Sequence, residues 1–277
     1  MKAARDCYQC LRQLVYQAAE LATSDAPLRA KAIEEGLKIV EQNFSYDEIT
    51  ITIATKVHSA VKEITGNPDP YRGMKDEEIR ISRELCQGLR PAQDFKGLLE
   101  LAVLGNSMDF FTGTDSIRRE LGWPVKFAID DSDKFQEKLG RGTNVLYLAD
   151  NAGEVFFDLP LIKWMEQKVQ VTYVVKESPA ADDITLDDLK RTGLDSELRT
   201  VITTGTATPG VILALASEEF RRALESADLV LAKGMGYYEA LSEFPGEGKI
   251  LFSFKAKCQP VADSLGVPLN SYVAMLW

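Results

Sequence analysis

Hydrophobic positions change their period about halfway along the chain. In the first part they recur at three- and four-residue spacing, the signature of amphipathic helices. Cys7, Cys10, Leu11, Leu14, Val15 and Ala18 share one helical face. Asp25-Ala-Pro27 supplies a cap and an early-turn proline, opening a helix that runs to Val40. Ser45-Tyr-Asp-Glu48 has capping-box spacing, and Ile49, Ile53, Val57, Val61 and Ile64 follow as one apolar stripe. Gly66-Asn-Pro-Asp-Pro70 stops that helix, because proline cannot continue it and restrains the residue before it. Two further helices are predicted over 74–89 and 93–110, divided by Arg90-Pro91.

Beyond Gly142 the texture becomes short apolar runs, at 144–149, 169–175, 200–203, 229–232, 250–254 and 272–275. Helical patterns at 155–165, 186–191, 218–226 and 259–265 separate most of them, with Pro160 inside the first. Strand and helix in alternation predict an α/β fold: a Rossmann-like, mostly parallel sheet with helices on both faces. The expected organisation is an all-α N-terminal domain over 1–115 and an α/β domain over 116–277. Residues 111–142 connect the two, with Asp130-Asp-Ser-Asp133 a helix start.

Composition narrows the class. The chain has 277 residues, enough for a substantial core, and a formal charge of −10, which argues against a nucleic-acid-binding surface. Neither a membrane-spanning run nor a signal peptide is read, so a soluble cytoplasmic protein is expected. Four cysteines do not make a disulfide framework in a chain of this size. Cys7 and Cys10 read either as a metal or redox pair or as small buried apolar residues; zinc would need more ligands than Cys86, Cys258 and His58 readily supply. His58 is the only histidine, which excludes multi-histidine chemistry, and its default place is a helix surface.

Four polar segments follow predicted strands, where open α/β sheets bind ligands. They are Asp150-Asn-Ala-Gly-Glu154; Lys176-Glu-Ser-Pro-Ala-Ala-Asp182-Asp-Ile-Thr185; Lys233-Gly-Met-Gly-Tyr-Tyr-Glu239; and Lys255-Ala-Lys-Cys258. Asp150 and Asn151 read either as hard oxygen ligands for a divalent ion or as an Asx turn that caps the following helix. The acids at 182–188 read either as ligands or as an acidic helix N-terminus. Converging, the four segments would place oxygen ligands and ammonium groups at one sheet edge, a combination suited to phosphoryl chemistry.

These four motifs, with Cys7-Tyr-Gln-Cys10, Asn67-Pro-Asp-Pro-Tyr71 and Gly105-Asn-Ser-Met-Asp109, resemble the metal-dependent damage-control phosphatases. That family was long catalogued as domain of unknown function 89, and the cysteine pair is similar to its stand-alone archaeal and bacterial branch. The resemblance runs over essentially the whole chain and implies hydrolysis of phosphate monoesters of small metabolites, such as sugar phosphates or damaged phosphometabolites. It implies metal ligands at Asp150, Asn151 and Asp183, with Asp182 the adjoining alternative. Catalytic roles fall to Asp150, Lys255 and Lys233, and substrate contacts to Asn106, Asp109, Gly153, Glu154 and Glu239. The implied cofactor is Mg²⁺, Mn²⁺, Co²⁺ or Ni²⁺. The chain departs from the family pattern at Tyr237, where relatives commonly carry asparagine, and near Ala207, where many carry an acid.

Metal-activated water is the expected nucleophile, since an aspartyl-phosphate route usually shows a second carboxylate where this chain has Ala152. A competing reading is a nucleoside-cofactor-binding protein or methyltransferase. Against dinucleotide binding stands the absence of G-x-G-x-x-G spacing in the Asp150 loop. A third is a non-catalytic interaction protein.

Overall fold

The computed structural model describes residues 1–107, 124–140 and 143–277. Five helices come first: α1 (Arg5–Ala22), α2 (Ala26–Asn43), α3 (Thr50–Thr65), α4 (Arg72–Cys86) and α5 (Phe95–Ser107). Then follow β1 (Phe127–Asp130), α6 (Ser132–Lys138), β2 (Asn144–Leu148), α7 (Val155–Met165), β3 (Gln170–Val175), α8 (Leu186–Thr192) and β4 (Val201–Thr203). The chain ends with α9 (Glu218–Ser226), β5 (Leu229–Lys233), α10 (Gly234–Leu241), β6 (Ile250–Lys255), α11 (Gln259–Leu265) and β7 (Tyr272–Leu276).

The seven strands form one sheet in the order β1-β7-β6-β5-β2-β3-β4. The five from β6 to β4 are parallel, while β7 runs antiparallel to β6 and β1 pairs parallel with β7. The fold class is therefore the expected one, with a reversed edge. Alternation along the strands divides the core. Val145 and Tyr147 pack with α5, α6 and α7 on one face, whereas Leu146 and Leu148 pack with α9, α10 and α11 on the other. Both faces being buried explains why the strands read as continuous apolar runs.

Helices α1 to α3 form a core of their own, in which Leu11, Val15, Val40, Ile53, Val57, Val61 and Tyr71 meet. Helix α5 instead covers the sheet directly through Phe95, Leu98, Leu99 and Ala102. The expected boundary at 115 and Asp109 lie outside the described residues.

Several expectations are corrected. Ser45-Tyr-Asp-Glu48 is not a capping box: Glu48 N–H donates to Ser45 O within a tight turn, and α3 begins later, at Thr50, after an uncapped Ile49. The connecting segment holds β1, a four-residue strand too short to stand out as a hydrophobic run. The polar segment from Lys233 to Glu239 is not a loop: Lys233 ends β5 and α10 starts at Gly234, hidden because two glycines in its first turn depress helix propensity. His58 is not on a helix surface; it is buried, with only 3% exposure.

Candidate active site

Strand β2 delivers Asp150 and Asn151 to the C-terminal edge of the sheet, and β3 delivers the loop that carries Asp182 and Asp183. The two loops zip together through their backbones. Ala152 N–H donates to Asp182 O, Ile184 N–H donates to Asp150 O, and Asn151 pairs with Asp183 as an isolated antiparallel bridge. Ala181, in a left-handed conformation with φ 49°, turns the chain into this pairing. Thr185, not an acid, caps α8, so Asp182 and Asp183 are not committed to a helix N-terminus.

A cavity of about 290 Å³ opens against these loops. Asn106, Asp150, Asn151, Asp182, Asp183 and Lys257 line it on the sheet side. Leu11 and Leu14 from α1, with Ile51, Ala54 and His58 from α3, line the helical side.

The acids are tightly organised. Asn106 Nδ2 donates to Asp150 Oδ2 at 2.9 Å and to Glu154 Oε1 at 2.7 Å, while its Oδ1 accepts the Lys255 N–H at 3.2 Å. Asn151 Nδ2 donates to Asp182 Oδ2 at 2.6 Å, which directs the amide oxygen away from Asp182. Lys176 is fully buried; its Nζ lies 3.2 Å from Asp183 Oδ2 and donates to Tyr237 Oη at 2.9 Å and to the Gly210 carbonyl. Burial works to lower the Lys176 ammonium, but Tyr237, Asp183 and Asp150 outweigh it and hold the group above its ordinary value. Burial pushes the Asp150 carboxyl well above the carboxylate range, and Asp183, Glu154 and Asp182 add to the push. Burial likewise raises Asp183, against the pull of Lys176 and with the help of Asp182.

This donor set suits a divalent cation. Buried acids repel one another, hard oxygens are the ligands that such ions prefer, and Asp183 Oδ2 is met only by the Lys176 ammonium at 3.2 Å among the described residues. The candidate set contains two carboxylates and an amide. No three His, Cys, Asp or Glu side chains of the described residues form a ready-made metal cluster.

Gly234 makes room for this arrangement. It follows Lys233 with φ +81°, and a Cβ there would overlap the Asp150 carboxylate. Only glycine satisfies both conditions.

Of the other expected site residues only Glu239 lines the cavity among the described residues. Lys233 is buried beneath the site, its Nζ donating to Glu154 Oε2, to Asp158 Oδ1 at 2.8 Å and to the Ala102 carbonyl at 3.0 Å. Glu154 and Gly153 are buried in the turn below Asp150, with Glu154 held between Asn106 and Lys233. Lys255 does not line the cavity; its Nζ lies 5.5 Å from the Tyr272 ring centroid. Glu239 does line it, and accepts from the Thr50 hydroxyl. Tyr237 is a buried partner of Lys176, not a cavity aromatic.

Sequence reasoning left four contributors without a site role. Lys257, two residues beyond Lys255, is the exposed lysine that lines the cavity, and Lys176 is the buried one. Glu78 of α4 is raised to about 10 by burial and by the negative Asp182 and Glu154, and its Oε2 has no hydrogen-bond partner among the described residues. His58 lines the helical wall. The cysteines are all unpaired, with Cys7 buried and Cys10 exposed where α1 meets the cavity.

The sheet, the acid-lined cavity and the helical cap define a protein of the damage-control phosphatase class. A sequence model described as the damage-control phosphatase ARMT1-like domain matches residues 3–273, and the chain belongs to that family. It is 34% identical to damage-control phosphatase PH1575 of Pyrococcus horikoshii, over 99% of this chain and 98% of that protein. A damage-control phosphatase of Archaeoglobus fulgidus is 35% identical, over 99% of both chains. The crystal structure of the Pyrococcus horikoshii protein, described as a DUF89 family protein, superimposes with a TM-score of 0.89 at 32% identity. That superposition covers 100% of this chain and 99% of the other.

Proposed function

We propose that this protein is a divalent-metal-dependent phosphatase that hydrolyses phosphate monoesters of small metabolites. The observation that carries the reading is the convergence of Asp150, Asn151 and Asp183, with Lys257, on one cavity at the sheet edge. The family membership supports the reaction class. Asp150, Asn151 through its amide oxygen, and Asp183 would hold the ion. When bound, a divalent ion polarises a phosphoryl oxygen and acidifies water.

The chain's own residues do the rest. Asn106 holds Asp150 in place. Asp182 orients Asn151. Lys176 offsets the negative charge of Asp183 from beneath. Lys257 brings an ammonium to the cavity, where charge on a transferring phosphoryl group needs compensation. Lys255 is placed one step further back, with its N–H tying Asn106 to β6. Lys233 acts as a buried anchor for Glu154 and Asp158. Water attack fits better than an aspartyl nucleophile, because the Asp150 carboxylate is engaged by Asn106 and Ala152 offers no second acid.

An acid-lined pocket of this size favours a compact phosphate ester over a nucleoside cofactor. The test is p-nitrophenyl phosphate hydrolysis by chelator-stripped protein, with Mg²⁺, Mn²⁺, Co²⁺ or Ni²⁺ added back, beside Asp150→Ala. Turnover restored by one ion and absent in the variant supports the reading. Equal turnover by folded Asp150→Ala would remove the Asp-Asn pair from the mechanism.

A further inference from the structure

Resting on that phosphatase reading, we propose that His58 sets substrate specificity by hydrogen-bonding an uncharged oxygen, a hydroxyl or carbonyl, on the organic part of the phosphate ester. Helix α3 presents Thr50, Ile51, Ala54 and His58 to the cavity at helical spacing, and α1 adds Cys10, Leu11 and Leu14. The aliphatic members cannot hydrogen-bond. Thr50 is already bonded to Glu239. His58 is different: it is 3% exposed, it lines the cavity, and its Nε2 is buried with no hydrogen-bond partner among the described residues.

A buried polar group left unpaired is costly, so an unpaired one on a cavity wall is a ready site for a ligand atom. The ring is fixed by Tyr71, edge-on at 5.6 Å between centroids. One turn further along α3, Lys62 donates to the Pro179 carbonyl at 2.9 Å, tying this end of the helix to the loop that carries Asp182 and Asp183. His58 therefore lines the same cavity as Asp150, Asn151, Asp182 and Asp183, on a helix tied to the loop that carries the last two.

The chemistry of the ligand follows from the wall. Burial, and next to it Lys62, lower the imidazole to about 4, so it is neutral and offers one donor and one acceptor. A neutral imidazole between acids and hydrocarbon suits a hydroxyl or carbonyl, not a carboxylate or second phosphate. Leu11, Leu14, Ile51 and Ala54 require the remaining organic surface to be mostly carbon, and about 290 Å³ keeps it compact.

Calorimetric titration of the full chain, saturated with the ion that restores p-nitrophenyl phosphate turnover, tests this, with 3-hydroxypropylphosphonate and propylphosphonate as non-hydrolysable probes. Wild type is expected to bind the hydroxylated probe at least about tenfold more tightly, a preference that His58→Phe loses and His58→Gln, which keeps a donor and an acceptor, retains in part. In wild type, the NMR signal of the single histidine is expected to move with the hydroxylated probe and not with its counterpart. Equal binding of the two probes by wild type, an unmoved histidine signal, or a preference that survives in folded His58→Phe would overturn the role of His58 alone. Failure of both probes to bind would overturn the phosphate-site reading and this one with it.

Discussion

The side-chain amide of Asn151 donates to Asp182 Oδ2 at 2.6 Å, so one of two neighbouring acids in the β3 loop orients a candidate metal ligand. Its neighbour Asp183 instead faces the Lys176 ammonium, 3.2 Å from its Oδ2. The family resemblance puts Asp183 ahead of Asp182 as a ligand, and the hydrogen bond gives the two acids different contacts.

This division predicts different variants. Asp182→Ala leaves the proposed ligands intact but frees the Asn151 amide to rotate. Removing a group that orients a ligand typically costs 10- to 100-fold in metal affinity. The half-saturating concentration of the activating ion should rise by about that factor while activity at saturating ion persists. Complete loss at every ion concentration would instead make Asp182 a ligand.

Lys233 is predicted to matter for stability first. Its ammonium is fully buried with Glu154 and Asp158, and burial's lowering effect is outweighed by both acids. Lys233→Met leaves two buried carboxylates unpaired, and breaking such a group costs about 3–5 kcal/mol. Urea denaturation should show that loss. A variant of wild-type stability with impaired turnover would return Lys233 to the reacting centre.

The legible parts of this site share a physical cause. β2 and its Asp150-to-Glu154 turn stood out because a strand buried on both faces is an unbroken apolar run, and because polar residues at its C-terminal end are conspicuous. α7, α9 and α11 were found at their observed limits for the same reason: apolar spacing is local. The direction of β7 was not legible, since it follows from pairing with β6 rather than from its own residues.

Lysines were the least legible. Lys233 and Lys255 end strands and Lys176 directly follows one, yet only the fold decides which is buried under the acids and which flanks Tyr272. His58 did carry a signal: it lies four residues after Ala54 and seven after Ile51, on the helical face that lines the cavity. Read as part of that face, it was never a surface residue.

Gly234→Ala should disable the site through Asp150. The left-handed backbone at φ +81° costs an L-residue about 1–2 kcal/mol, and the added methyl also displaces the Asp150 carboxylate. Misplacement of a reacting group by about 1 Å can cost roughly 100-fold in rate. A modest fall in melting temperature with at least that loss in kcat is expected on p-nitrophenyl phosphate. Wild-type turnover in the variant would show that Asp150 tolerates displacement.

His58 also makes stability depend on pH in a calculable direction. Burial first, then Lys62, depress the folded imidazole to about 4 from an ordinary value of 6.5. Between those values the unfolded chain binds the proton and the folded chain does not, so stability rises with pH across that window. The contribution is complete above about pH 6.5 and is withdrawn as pH falls toward 4, a change of about 3 kcal/mol at most. The buried carboxylates titrate too, but they do so in both proteins when wild type is compared with His58→Phe. The difference in unfolding free energy between the two should therefore slope between pH 4.5 and 6.5 and level off above pH 7. A difference that stays flat across the range would mean that the folded imidazole titrates as the unfolded one does, so that burial and Lys62 do not depress it.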